Sequence, residues 1–105
     1  MQTIERRIGL SRSLLKQIVD ILVKYVRPKR IIVYGSRARG DYNKTSDIDI
    51  AVECGEGSRL VRNVIDDEVR TLLKLDIIDL DAVESPLRNE IEQEGIVVYE
   101  KIRTG

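Results

Sequence analysis

Histidine, tryptophan and phenylalanine are absent from the 105 residues, and cysteine and methionine occur once each. Without histidine there is no Ser-His-Asp or Cys-His nucleophile and no histidine-ligated zinc; with Cys54 as the sole thiol there is no internal disulfide. Only two prolines are present, and no Pro/Gly/Ser-rich linker or low-complexity tract divides the chain. Charge interrupts every long apolar run, so no membrane span is expected, and no apolar segment of signal-peptide type follows Met1, Gln2 and Thr3. A cytoplasmic location with a reduced thiol is the expectation. Chemistry is left to carboxylates, Lys and Arg, hydroxyls and backbone amides, a set that suits hard, oxygen-seeking cations such as Mg²⁺.

What is present reads as one globular domain over residues 1–105, with 42% hydrophobic and 34% charged residues. Eighteen basic residues balance eighteen acidic ones, but the two signs are segregated. Residues 1–45 carry a net +8 and residues 46–105 a net −8. A basic half suits phosphate and an acidic half suits metal or a basic partner, although two ordinary solvated faces give the same count.

Helical periodicity runs from Arg12 to Val26, where Leu14, Ile18, Leu22 and Val26 form a stripe that Leu15 and Val19 widen. Ser11 is placed to cap this helix and Pro28 to end it. Residues 1–10 form a lead-in in which Gly9 works against a continuous helix. Ile31 to Tyr34 reads as a buried strand, Gly35 to Ser46 as a polar, basic connection, and Asp47 to Cys54 as an alternating strand. On that second strand Asp47, Asp49, Ala51 and Glu53 share one face, and Ile48, Ile50, Val52 and a buried, inert Cys54 the other. Gly55 to Gly57 predicts a turn, Ser58 the cap of a helix carrying Leu60 to Leu73, and Leu75 to Val83 a third strand. Ser85 and Pro86 suit the cap and first position of a short helix ending near Gly95, with Ile96 to Tyr99 as a last strand. The order predicts an α/β (α+β) layer protein whose mixed sheet of about four strands packs against helices, the first two strands antiparallel.

Two clusters carry the chemistry. After the first strand comes Tyr34-Gly35-Ser36-Arg37-Ala38-Arg39-Gly40, where a Gly-Ser turn lets backbone amides and a hydroxyl approach phosphate oxygens and the two arginines add charge. Alone, that stretch also fits a simple turn. The second cluster is Ser46-Asp47-Ile48-Asp49-Ile50, whose two carboxylates repel unless a divalent cation lies between them. Alone, the pair also fits a solvated strand face. Tyr34 is expected in the core, whereas Tyr42 is left open between packing and stacking on a base. Arg6-Arg7 and Lys29-Arg30 read as solvated ends rather than a surface for sequence-specific nucleic acid. The last helix, with Leu87 and Ile91 facing inward and Glu90, Glu92 and Glu94 outward, offers an acidic back.

Gly35-Ser36, ten intervening residues, then Asp47-Ile48-Asp49, set between apolar strand residues, resembles the signature of the DNA polymerase β-like nucleotidyltransferase superfamily. The wider string resembles its shortest branch, the minimal nucleotidyltransferases (MNT), often encoded beside a helical HEPN protein as the antitoxin of a toxin–antitoxin pair. The resemblance spans roughly Ile31 to Glu100 and implies the nucleotidyltransferase fold. It also implies a third carboxylate on a later strand, for which Asp76 and Asp79 are candidates of opposite parity, Asp76 being the better match. Asp47, Asp49 and Asp76 would then be catalytic and hold two Mg²⁺ ions, with Asp76 taking the proton. Gly35, Ser36, Arg37 and Arg39 would bind the phosphates of ATP or another NTP.

On the same resemblance, the expected reaction is transfer of AMP to a hydroxyl of a HEPN-type toxin presented by another chain. A homo- or hetero-oligomer fits that arrangement. A non-catalytic antitoxin that masks its partner and nucleotidyl transfer to a small molecule are the alternatives.

Overall fold

The computed structural model describes residues 3–53, 69 and 71–101. Its first element, α1 (Ile4–Ile8), starts where the Thr3 hydroxyl accepts the Arg6 amide at 3.3 Å, and it stops at left-handed Gly9. Gly9 thus ends a short helix in the expected lead-in. In α2 (Arg12–Val26) the Ser11 hydroxyl accepts the Leu14 amide at 3.1 Å, satisfying one of the amides that lack an intrahelical acceptor. Arg27 leaves this helix in a left-handed conformation and Pro28 follows, so the predicted stop is where the helix ends. The buried stripe is Leu15, Ile18, Leu22 and Val26, with Leu14 at its margin.

Four strands follow: β1 (Arg30–Tyr34), β2 (Ile48–Glu53), β3 (Leu75–Asp79) and β4 (Ile96–Glu100). They form one sheet in the order β3-β2-β1-β4. β1 runs antiparallel to β2 and to β4, whereas β2 and β3 are parallel. Alternation along the strands divides the core in two. Ile31, Val33, Ile48, Ile50, Val52, Ile77 and Ile96 face α2 together with Ile8 and Leu10. Ile32 and Ala51 face the other way, against Leu80 and Ile91 of the segment beyond β3. Both faces of the sheet are therefore covered, as in a three-layer protein.

Several expectations change in detail. Gly35 to Ser46 is not wholly irregular, because Ser36–Arg39 forms one helical turn, α3. β3 ends at Asp79 rather than Val83: the Asp79 carboxylate accepts the Asp81 amide at 3.0 Å and turns the chain into a 3₁₀ segment, Leu80–Ala82. The last helix, α4 (Ser85–Glu94), has Glu84 at the cap position, so Ser85 lies inside the helix instead of capping it. Leu72 and Leu73 belong to a bend, with Leu72 fully exposed, while most of the helix expected from Leu60 onward, and Cys54, lie outside the described residues.

Arg30 is no solvated end. Its guanidinium grips both Glu53 oxygens at 2.8 Å and also holds Glu92, joining β1, β2 and α4. The acidic back of α4 is thereby partly occupied from within. Among the described residues no helix is long and apolar enough to cross a membrane.

Candidate active site

The end of β1 and the beginnings of β2 and β3 meet at one end of the sheet. Gly35 makes the exit from β1 with φ 75° and ψ −151°, a region open essentially to glycine alone. A Cβ there would run into the Asp49 carboxylate, so the missing side chain is what lets the turn lie against that acid. α3 begins immediately afterwards at Ser36, whose hydroxyl has no hydrogen-bond partner among the described residues. The first amides of such a turn have no acceptor within it. Hydroxyl, amides and glycine backbone are thus gathered beside Asp49.

Cross-strand register brings the acids together. Asp49 pairs with Tyr34 of β1 on one side and with Asp76 of β3 on the other, so Tyr34, Asp49 and Asp76 stand in one row across three strands. Asp47 shares their parity but precedes the first ladder residue, Ile48, and is exposed. Burial first, then Asp76 and Asp47, push the Asp49 carboxyl above the usual aspartate value, while Arg39 and Lys74 pull it back. Burial, then Asp49 and Asp76, push the Tyr34 hydroxyl up to about 12. Asp79 lies on the opposite face and is engaged as the 3₁₀ cap.

Two positions depart from expectation. Arg37 does not line the phosphate side of the loop; it is 1% exposed and its donors go to backbone carbonyls, among them Ser46 O at 3.0 Å and Ile8 O at 2.9 Å. Of the two arginines, the exposed Arg39 is the one that faces the acids, loosely paired with Asp41 and Glu94 at 3.4 and 3.9 Å. Tyr42 is settled as a packing residue: its ring covers the Arg37 guanidinium, with 5.0 Å to the ring centroid. Lys74 was not anticipated. It has the parity of Asp76, and its carbonyl accepts the Ile48 amide at 2.9 Å, so it sits beside Asp47 at the start of the parallel pair. A basic residue two positions before the third acid was the available signal.

Among the described residues no three His, Cys, Asp or Glu side chains gather into a group that could by itself hold a metal ion. The donor set still fits Mg²⁺, which keeps several waters and takes one or two carboxylates plus substrate phosphates. A carboxylate destabilised by two like charges is what such a cation relieves. A groove of about 220 Å³ lined by Glu5, Arg12, Leu15, Lys16, Val19, Asp20 and Val98 involves none of these residues.

Residues 16–104 match the family model described as polymerase beta, nucleotidyltransferase. The chain belongs to this nucleotidyltransferase family. A relative of the nucleotidyltransferase in Methanocaldococcus jannaschii, provisionally named a protein adenylyltransferase, is 35% identical over 86 residues, spanning 79% of this chain and 91% of that one. Among solved structures, a toxin–antitoxin crystal structure with AMP-PNP contains a chain matching with a TM-score of 0.68 at 19% identity, over 83% of the nucleotidyltransferase and 73% of that chain. A complex of a tri-AMPylated Shewanella oneidensis HEPN toxin with its MNT antitoxin matches with a TM-score of 0.59 at 17% identity, over 86% and 72%. At these identities the two likenesses are of fold. The mixed four-stranded sheet with helices is accordingly the minimal nucleotidyltransferase fold.

Proposed function

We propose that this nucleotidyltransferase transfers AMP from ATP to a hydroxyl on a partner protein in a Mg²⁺-dependent reaction, as the cytoplasmic antitoxin of a HEPN-type toxin. The observation that carries the reading is the register pair Asp49 and Asp76 beside the Gly35–Ser36 turn. The name of the M. jannaschii relative supports adenylyl transfer to protein, and the toxin–antitoxin complexes of like fold support the partner.

Asp47 and Asp49, with Asp76, are the residues to hold Mg²⁺, which when bound neutralises phosphate charge and lowers the pKa of an attacking hydroxyl. Gly35 and Ser36 receive the triphosphate through amides and hydroxyl, and Arg39 balances its charge. The acceptor oxygen bonds to the α-phosphorus as the bond to pyrophosphate breaks in line. The acceptor's proton passes to Asp76, and pyrophosphate leaves toward the α3 turn.

The test is intact-mass spectrometry of the HEPN-type protein encoded beside this chain, after incubation with the nucleotidyltransferase, ATP and Mg²⁺. A gain in whole AMP units that Asp49→Asn abolishes is the expected result. A stable complex with no added mass would instead make the protein a masking antitoxin.

A further inference from the structure

Asp47 lies outside the β2 ladder and outside the core, yet the proposed reaction needs its carboxylate beside that of Asp49. What fixes its peptide comes from another element. Arg37 Nε and Nη2 both donate to Ser46 O, at 3.1 and 3.0 Å, gripping the carbonyl of the Ser46–Asp47 peptide with two hydrogen bonds. Nη2 also reaches Lys44 O at 3.5 Å. On its other side Nη1 donates to Ile8 O at 2.9 Å and Gly9 O at 3.1 Å, at the end of α1.

The loop leading to Asp47 is closed on itself before Arg37 grips it. The Ser46 hydroxyl accepts the Asn43 amide at 2.9 Å, and Asn43 Oδ1 accepts the Thr45 amide and hydroxyl at 2.9 and 2.8 Å. Tyr42 then lies over the guanidinium, and its hydroxyl donates to Arg6 O at 3.4 Å. A Cβ on Gly9 would strike this ring, so α1 and the loop meet in contact. Burying a cation against carbonyl dipoles and an aromatic face, rather than a carboxylate, carries a desolvation penalty that an apolar side chain of similar volume avoids. The arrangement is better suited to setting a geometry than to maximising stability.

We infer that Arg37 is a positioning residue: it sets the Ser46–Asp47 peptide, and with it the Asp47 carboxylate, against α1, which makes the N-terminal helix part of the frame of the site. This rests on Asp47 being a metal ligand as proposed above.

The test is Mn²⁺ titration by calorimetry on full-length Arg37→Lys and Tyr42→Leu, at a temperature where circular dichroism shows both folded. Arg37→Lys keeps the charge but cannot supply both forks. It should weaken Mn²⁺ binding by about tenfold, the lower end of what losing a residue that orients a metal ligand does. ATP affinity without divalent cation should stay unchanged. Tyr42→Leu removes the ring that covers the guanidinium and the hydroxyl bonded to Arg6 O, loosening the same grip without deleting Arg37, and should weaken Mn²⁺ in the same direction by a smaller factor.

Unchanged Mn²⁺ affinity with a lowered melting temperature would make Arg37 merely structural. Lost ATP affinity with unchanged Mn²⁺ binding would return it to the phosphates; either result overturns the inference. If Arg37→Lys does not fold, Tyr42→Leu decides on the same criterion. A native protein that binds no Mn²⁺ would sink the metal-dependent reading itself and this inference with it, whereas a failure confined to the variants sinks the inference alone.

Discussion

Gly35 is the residue on which the site turns. Gly35→Ala would place a methyl against the Asp49 carboxylate in a conformation alanine avoids, so a loss of about 1–3 kcal/mol in chemical denaturation is expected, together with loss of transfer. Asp49 itself should behave in the opposite sense. Its carboxyl is held above the ordinary value, so the ionised form is disfavoured in the fold, and its contribution to stability is greatest when protonated and lost as pH rises. Asp49→Asn should therefore raise the melting temperature of the metal-free protein at neutral pH, with the gain vanishing as pH falls, while abolishing AMP transfer. Asp76 and Asp79 separate by the same logic. Asp76→Asn is expected to abolish transfer, whereas Asp79→Ala should only remove the 3₁₀ cap, at about 1 kcal/mol in a melt, with transfer retained. The Asp47/Asp49 spacing was legible because alternation on a strand is a local rule. The engagement of Arg37 was not, since its acceptors are main-chain carbonyls that no residue type announces.

At the level of elements, the fork between Arg30 and Glu53 joins β1 to β2, and Glu92 adds α4. Hydrogen bonding to Arg30 holds the Glu53 carboxyl below the usual glutamate value. Its stabilisation is therefore complete above pH about 4.5, the ordinary glutamate value, and is lost as pH falls through the depressed one. Glu53→Gln should flatten the acid limb of the stability–pH curve and cost about 2 kcal/mol near neutrality, as for a hydrogen-bonded charge losing its partner. α2 was legible in full outline because capping serine, apolar period and proline all act within a few residues of one another. α3 was not, for four residues are too few to display a helical period. β3 was overrun because its apolar pattern continues past Asp79, and only the turn made by that carboxylate breaks it.

For the molecule as a whole, a sheet covered on both faces gives the acids a rigid base without enclosing them. Binding of Mn²⁺ or Mg²⁺ to the native state alone should stabilise it by mass action, by about 2.7 kcal/mol at a hundred times the dissociation constant, and so raise the melting temperature. Asp47→Asn should erase the shift in a thermal melt. The four-stranded mixed sheet and the antiparallel pairing of β1 and β2 followed from element order and a short connection. The row from Tyr34 through Asp49 to Asp76, and the place of Lys74 beside it, depend on the register between distant strands, which no local pattern carries.

That register also sets the order in which the protein becomes competent. β1 and β2 are near neighbours along the chain, whereas β3 reaches β2 in parallel, across a long crossover, and distant pairings of this kind form late. A polypeptide interrupted before β3 docks holds Asp49 without Asp76. On the proposed reaction, competence for transfer therefore arrives only when β3 docks on β2, and a chain folded short of that step is silent.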